Sequence, residues 1–264
     1  PEKLQQRNAR TGQGDGLRMA REAGARLVGL DRFYGHVLAQ EAMTNDDLWP
    51  FPMIDLVCSA GIVVDGHGRR FLDEGMGGVT IANGIAKQAD PLGATAIFDA
   101  DIWNGPGREY LIPANPTLLS SGGKLYAAPG LAGLAAQLGL PSGELEATVA
   151  QYNAAVDAGQ AGALQPPRRT GSCKAWTIRK APFHAIRLCA GITYTMGGIA
   201  VDAAGRVLGT DDRPIAGLYA AGCAAGGVEG GGDRPQVAYI GGLTRSTVFA
   251  LRAADDIAAT LVPA

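Results

Sequence analysis

The chain carries almost no surplus charge: 23 Lys and Arg stand against 25 Asp and Glu, a net of −2 over 264 residues. Without a basic block, a nucleic-acid backbone is not the expected partner. No apolar run reaches the ~18 residues that a membrane-spanning helix needs. The charged opening PEKLQQRNAR has none of the apolar core of a signal peptide. Cys58, Cys173, Cys189 and Cys223 form no C-x-x-C pair and read as reduced thiols, which points to a cytoplasmic compartment. His36, His67 and His184 are too scattered to predict a metal centre. The dinucleotide fingerprint G-x-G-x-x-G is also absent.

What is present is glycine, 39 residues of it, in a composition that is 47 % hydrophobic and 18 % charged. This is a globular balance, enough for one large domain or two smaller ones. Gly12-Gln-Gly14-Asp-Gly16 imitates a phosphate loop, but no strand precedes it. The reading is a turn in which Asp15 caps a helix that faces Leu17, Ala20 and Leu27 inward.

LVCSAGIVVDGHGRRFLDE reads as an apolar extended run, a tight turn at Asp65–Gly68 and a second extended piece. TAIFDADIW is a further strand candidate. LAGLAAQLGLP and SGELEATVAQYNAAVDAG form a helical pair, with Ser142 as N-cap and Leu145, Val149, Tyr152 and Val156 on one face. Gly159 ends the second helix. A hairpin turning at Asp202–Gly205 follows, then GLYAAG as a short buried strand, and LTRSTVFALRAADDIAATL as a closing helix.

Several of these segments resemble the flavoproteins of the fumarate reductase and succinate dehydrogenase type, a group that includes 3-ketosteroid and tricarballylate dehydrogenases. Gly14-Asp-Gly16 before REAGARL is similar to that family's helix after a glycine-aspartate-glycine turn. GIVVDGHGRRFLDE resembles its G-x-R-F-x-x-E segment. ITYTMGGIAVDAAGRVL with PIAGLYAAG resembles the hairpin and strand that meet the flavin. The likeness runs over nearly the whole chain.

It implies a mixed α/β (α+β) fold, the C-terminal part of a Rossmann-like FAD-binding domain with an inserted α+β capping domain. Residues 1–44 and 185–264 would belong to the FAD-binding domain and residues 45–184 to the capping domain. Roughly 150–200 residues holding the FAD pyrophosphate would lie upstream. FAD is the expected cofactor of the full-length protein and would be bound weakly or not at all by this piece, which alone would be inactive. The expected function is an FAD-dependent oxidoreductase exchanging hydride between the flavin and an organic acid or a ketone-activated C–C bond. The alternatives are a non-catalytic relative serving as a binding or scaffold protein, and one half of a split flavoenzyme. Expected partners are a small-molecule substrate, the missing N-terminal segment and a second copy of the chain.

The resemblance also implies site residues. His36 aligns with a substrate-holding histidine, although Val37 and Leu38 replace the usual proline and threonine. Thr193 and Tyr194 stand where fumarate reductases carry a histidine, so a hydroxyl would donate to a carbonyl or carboxylate. Arg70 matches the family's G-x-R-F arginine, with Glu74 as its salt-bridge partner. Gly75–Gly78 supplies no arginine where a proton donor is usual. Arg234 lies near a substrate-clamping arginine. The flavin would rest on Ala221, Gly222, Cys223, Gly241, Gly242, Leu243 and Thr244. At Cys223 a thiol replaces the usual acid.

Overall fold

The computed structural model describes residues 2–9, 11–229 and 239–261. In chain order the first elements are β1 (Leu4–Gln6), α1 (Asp15–Glu22), β2 (Leu27–Val28), β3 (Phe33–Ala39), α2 (Asp55–Ala60) and β4 (Ile62–Val64). Next come α3 (Gly78–Ala86), β5 (Thr95–Phe98), α4 (Ala100–Asn104), α5 (Ala114–Ser120), β6 (Tyr126–Ala128) and α6 (Leu131–Leu138). The remainder is α7 (Ser142–Asp157), β7 (Phe183–Thr195), β8 (Gly198–Ile199), β9 (Arg206–Leu208), β10 (Pro214–Tyr219) and α8 (Gly242–Leu261). The fold is therefore mixed α/β.

Two compact units are resolved. Among the described residues, the larger comprises 2–7 and 35–192, and the smaller 8–9, 11–34, 193–229 and 239–261.

The larger unit is organised on β7. β1 runs parallel to it at Leu4↔Ala190, while β5 and β6 are antiparallel at Ile97↔Ala185 and Tyr126↔Ala185. β3 also pairs with β7, and β4 extends the sheet from β5. β4 and β5 are buried at every position and β7 over most of its length, as expected of strands covered on both faces.

α2 replaces part of the predicted extended run. Leu56–Ala60 is helical and only Ile62–Val64 is strand, because a short apolar run has no period that separates the two states. The turn at Asp65–Gly68 closes as expected: the Asp65 carboxylate accepts from the His67 and Arg69 N–H groups, and Val64 bridges Arg70. The TAIFDADIW segment is strand only to Phe98. Asp99 then caps α4, accepting from the N–H groups of Asp101 and Ile102.

The α6–α7 pair forms as predicted, with Leu145, Val149 and Tyr152 buried and Gly159 at φ +66° beyond the last turn. Ser142 is not the N-cap. Pro141 holds that position and no side chain caps the helix.

In the smaller unit, β2 pairs antiparallel with β8, and β9 with β10. Ala20, Ala25, Ile199, Val207 and Ala220 form its core, with Leu17 and Leu27 packed against them. Asp15 does not cap α1. Gly14, left-handed at φ +77°, is the N-cap, and Asp15 instead pairs with Arg18 at 2.7 Å.

The Asp202–Gly205 hairpin is present. Asp202 accepts from Ala204 and Arg206, and Gly205 takes the left-handed φ of +79° that the turn requires. β10 is not the buried strand expected. Its residues are exposed or half-buried because it pairs only with β9 among the described residues.

A candidate flavin site and a buried tyrosine–glutamate–arginine cluster

The T-M-G-G segment earns its glycines by close backbone crossing. A Cβ at Gly197 would overlap Gly29, and one at Gly198 or Gly226 would overlap the other strand of the Gly198–Gly226 contact. Ile199 bridges Ala225 in parallel, and the Gly226 N–H donates to the Ile199 carbonyl at 2.9 Å. After the Asp202–Gly205 hairpin and the Ala221–Ala225 turn, this crossing returns the chain onto β8.

That turn is 3-10 over Gly222–Ala224, with Gly222 left-handed at φ +65°. It packs on the start of α8: a Cβ at Gly222 would come within 3.1 Å of the Ser246 hydroxyl. Gly241 enters the helix at φ +87° and its carbonyl accepts from the Arg245 N–H. Gly242, Leu243 and Thr244 form the first turn, whose N–H groups have no intrahelical acceptor and lie at the positive end of a 20-residue helix. A Cβ built at Gly242 meets nothing within 4 Å, and Leu243 is 87 % exposed. The predicted cofactor residues are therefore brought together, with open space at Gly242. Cys223 is exposed on the same turn.

Tyr194 stands at the end of β7 in a cluster that no local sequence pattern announced. Its hydroxyl donates to Oε2 of Glu229 at 2.5 Å. Oε1 of Glu229 accepts from the Ile240 N–H at 3.2 Å. Behind them is Arg245 of α8, fully buried, with Nη1 at 3.4 Å from Glu229 Oε2 and its guanidinium 5.2 Å from the Tyr194 ring centroid. The guanidinium nitrogens find no hydrogen-bond partner among the described residues, so the contact with Glu229 is an ion pair without hydrogen-bond geometry.

Tyr34 stacks on Tyr194 at 5.2 Å and on Tyr239 at 4.5 Å. Burial, followed by the hydrogen bond to Glu229 and the charge of Glu229, pushes the Tyr194 phenol well above the ordinary tyrosine range. Thr193 lies beside it in the strand, its carbonyl accepting from Asn8 at 2.6 Å.

In the larger unit, Nδ1 of His36 is 2.6 Å from Oδ2 of Asp55, whose other oxygen accepts from the Val37 N–H at 2.7 Å. Asp55 opens α2, so one carboxylate fixes the imidazole and ties β3 to the helix.

Arg70 and Glu74 form a buried pair. Nε and Nη2 of Arg70 donate to the two carboxylate oxygens at 3.0 and 2.5 Å. The remaining donors go to the carbonyls of Pro166, Leu72 and Pro167. With both nitrogens and the fork engaged, Arg70 is committed to protein acceptors. Arg234 lies outside the described residues. No cluster of three or more His, Cys, Asp and Glu that could hold a metal occurs among the described residues. No helix among them is long and apolar enough to cross a membrane.

The mixed α/β architecture, with glycine turns meeting an uncovered helix N-terminus, defines a nucleotide-cofactor-binding class of protein. Residues 3–234 match the family described as FAD binding domain, and the chain belongs to that family. It is 29 % identical over 233 residues to an NADH:acrylate oxidoreductase of Vibrio harveyi, covering 83 % of this chain and 20 % of the relative. It is also 29 % identical over 238 residues to a 4-oxocyclohexanecarboxylate 2-dehydrogenase of Sinomonas cyclohexanicum, covering 80 % and 40 %.

Among solved structures, a 3-ketosteroid delta1-dehydrogenase from Sterolibacterium denitrificans shares the fold with TM-score 0.70 and 24 % identity, over 97 % of this chain and 48 % of that one. The open conformation of a flavocytochrome c3 fumarate reductase matches with TM-score 0.58 and 25 % identity, over 98 % and 42 %. The chain spans less than half the length of each of these four proteins.

The family's cofactor is FAD, and the residues present fit its ring and ribityl portion. The open space at Gly242 beside the Gly222 turn leaves room for a flat group, next to helix N–H donors that have no intrahelical acceptor.

Proposed function

We propose that this chain is part of an FAD-dependent oxidoreductase acting on an organic acid or a ketone-activated C–C bond. The carrying observation is the Gly222 turn packed on the N-terminus of α8, with open space at Gly242 where a flavin would rest, in a chain of the FAD binding domain family. When bound, the flavin supplies hydride exchange with a substrate carbon.

The chain's own residues have three tasks. Ala221, Gly222 and Cys223 give backbone to the ribityl side, and Gly241, Gly242, Leu243 and Thr244 turn helix N–H groups toward the ring. Tyr194, with Thr193 beside it, orients the substrate. His36, its Nδ1 proton held by the acceptor-only Asp55 carboxylate, is the second substrate contact. Arg70 acts as structure, buried with each of its guanidinium nitrogens donating to protein. Arg234 remains a candidate clamp on carboxylate.

In this reading residues 1–44 and 185–264 serve the FAD-binding domain and residues 45–184 cap the substrate, excluding water. The dinucleotide half of the cofactor is held by sequence outside this chain. The protein works in the cytoplasm on a small molecule, and a second copy of the chain is a further partner. A scaffold role, or half of a split flavoenzyme, is the second reading, favoured by the exposed thiol of Cys223 at the ribityl position.

The test is FAD loading of a protein containing this sequence together with its upstream dinucleotide-binding part. The expected result is a yellow protein whose flavin is reduced or reoxidised by members of a panel of unsaturated acids and cyclic ketones. Absence of flavin uptake under every loading condition would overturn the oxidoreductase reading. Uptake without turnover on any member would favour the scaffold.

A further inference from the structure

A phenol has a single proton to donate, and that of Tyr194 is already placed. It goes to Oε2 of Glu229 at 2.5 Å. The direction of this bond follows from Arg245. A guanidinium is always charged, and Arg245 is wholly buried, its three nitrogens having no hydrogen-bond partner among the described residues. Such a charge needs a counter-charge nearby, and the Glu229 carboxylate at 3.4 Å supplies it. An ionised carboxylate only accepts, so the tyrosine must be the donor. The Ile240 N–H, donating to the other carboxylate oxygen, agrees with that assignment.

Two lone pairs on the Tyr194 oxygen are left. The proton stays on the Glu229 side because an ionised carboxylate is a stronger acceptor than a neutral ligand oxygen, and stacking of the ring on Tyr34 at 5.2 Å and 19° keeps the phenol oxygen beside that carboxylate.

We propose that Glu229, held by Arg245, converts Tyr194 into a hydrogen-bond acceptor, so that the ligand group it selects is a hydroxyl or N–H donor, not a carbonyl or carboxylate. This rests on the reading of Tyr194 as a ligand contact and reverses the donor role expected for it from sequence. Glu229 and Arg245 are then positioning residues for specificity.

The experiment is ligand binding to protein carrying carbon-13 at Cζ of its tyrosines, with the Tyr194 resonance assigned by its loss in Tyr194→Phe. The probes are cyclohexanol and cyclohexanone, alike in shape but differing in the donor. Cyclohexanol is expected to shift the Tyr194 resonance and to bind about fivefold more tightly than cyclohexanone, the factor that one hydrogen bond supplies. In Glu229→Gln, whose amide can donate to the phenol oxygen and release its proton, the order reverses. In Tyr194→Phe, which leaves the Glu229–Arg245 pair intact, the preference disappears.

Equal or tighter binding of cyclohexanone by the unaltered protein would overturn the inference. So would an unchanged order in Glu229→Gln, or a Tyr194 resonance that neither probe moves. Flavin uptake and reduction are read separately, so a failure here leaves the oxidoreductase reading standing, and a failure there leaves this result interpretable.

Discussion

The carboxylate of Asp55 occupies the space that a side chain at Gly78 would need. A Cβ built at Gly78 overlaps the Asp55 carboxyl group, and the same carboxyl binds Nδ1 of His36 and the Val37 N–H. One residue thus sets the imidazole, joins β3 to α2 and dictates a glycine at the start of α3.

Gly78→Ala is accordingly expected to destabilise the protein by about 1–3 kcal/mol, although alanine is normally the better helix former. Asp55→Ala is expected to cost about 1–3 kcal/mol, because the Val37 N–H is left buried without an acceptor. The two losses should not add. Urea unfolding of the double variant should show the Gly78→Ala penalty shrinking once the carboxylate is gone. Full additivity would separate the two residues.

Arg70→Ala or Glu74→Ala should each cost about 3–5 kcal/mol, since either change strands a buried charge. Both side chains are nearly inaccessible, at 5 % and 0 % exposure. Replacing both together, as Arg70→Met with Glu74→Leu, should recover much of that loss. Thermal unfolding checks the ranking. Flavin reduction in the folded double variant should stay near that of the unaltered protein, because Arg70 is buried and each of its guanidinium nitrogens already donates to protein. A large loss of turnover without loss of stability would restore a substrate role to Arg70.

Features set by neighbours in sequence were the legible ones. The Asp202–Gly205 turn needs only an aspartate accepting two residues on and a glycine able to take positive φ, and both are visible in the letters. The same holds for α6, α7 and the glycine after α7. Leu56–Ala60 was misread because five apolar or small residues suit a buried strand and a buried helix equally, and only packing decides.

The glycines around Gly222 and Gly241 were legible as close-approach backbone. The chemistry beside them was not. Tyr194 and Glu229 are 35 residues apart and meet only because the T-M-G-G strand crosses the Ala225–Gly226 backbone. Arg245 reads in sequence as one more polar helix residue, and its complete burial is a property of the fold.

Asp256 gives a pH-dependent case. Nε of Arg206 donates to it at 2.6 Å, a second Arg206 nitrogen to its other oxygen, and the Tyr219 hydroxyl at 2.7 Å. The hydrogen bonds from Arg206 first, then that from Tyr219, hold the Asp256 carboxyl below the usual aspartate range. A carboxylate depressed on folding adds stability above its unfolded pKa, ~3.9, and that stability is lost as pH falls through the lower folded value. The melting temperature should therefore drop on acidification below about pH 4, and Asp256→Asn should flatten that drop while lowering the plateau at neutral pH. An unaltered acid limb in Asp256→Asn would show that the strap between β9, β10 and α8 does not bear on stability.

The thiols divide into buried and accessible ones. Cys58 and Cys189 are buried, and burial first, then nearby carboxylates, raises both: Cys58 well above the usual thiol range, Cys189 to about 12. A thiol held protonated and out of solvent reacts slowly. Cys223 is exposed on the Gly222 turn. With a maleimide near neutral pH, Cys223 should label fastest, Cys173 at an intermediate rate, and Cys58 and Cys189 only after unfolding. If the turn lies against the ribityl chain, FAD loading should slow Cys223 labelling selectively while leaving Cys173 unchanged. Mass spectrometry of tryptic peptides resolves the four sites. Equal protection of Cys173 and Cys223 would indicate general stabilisation, and no protection of Cys223 would move the cofactor off this turn.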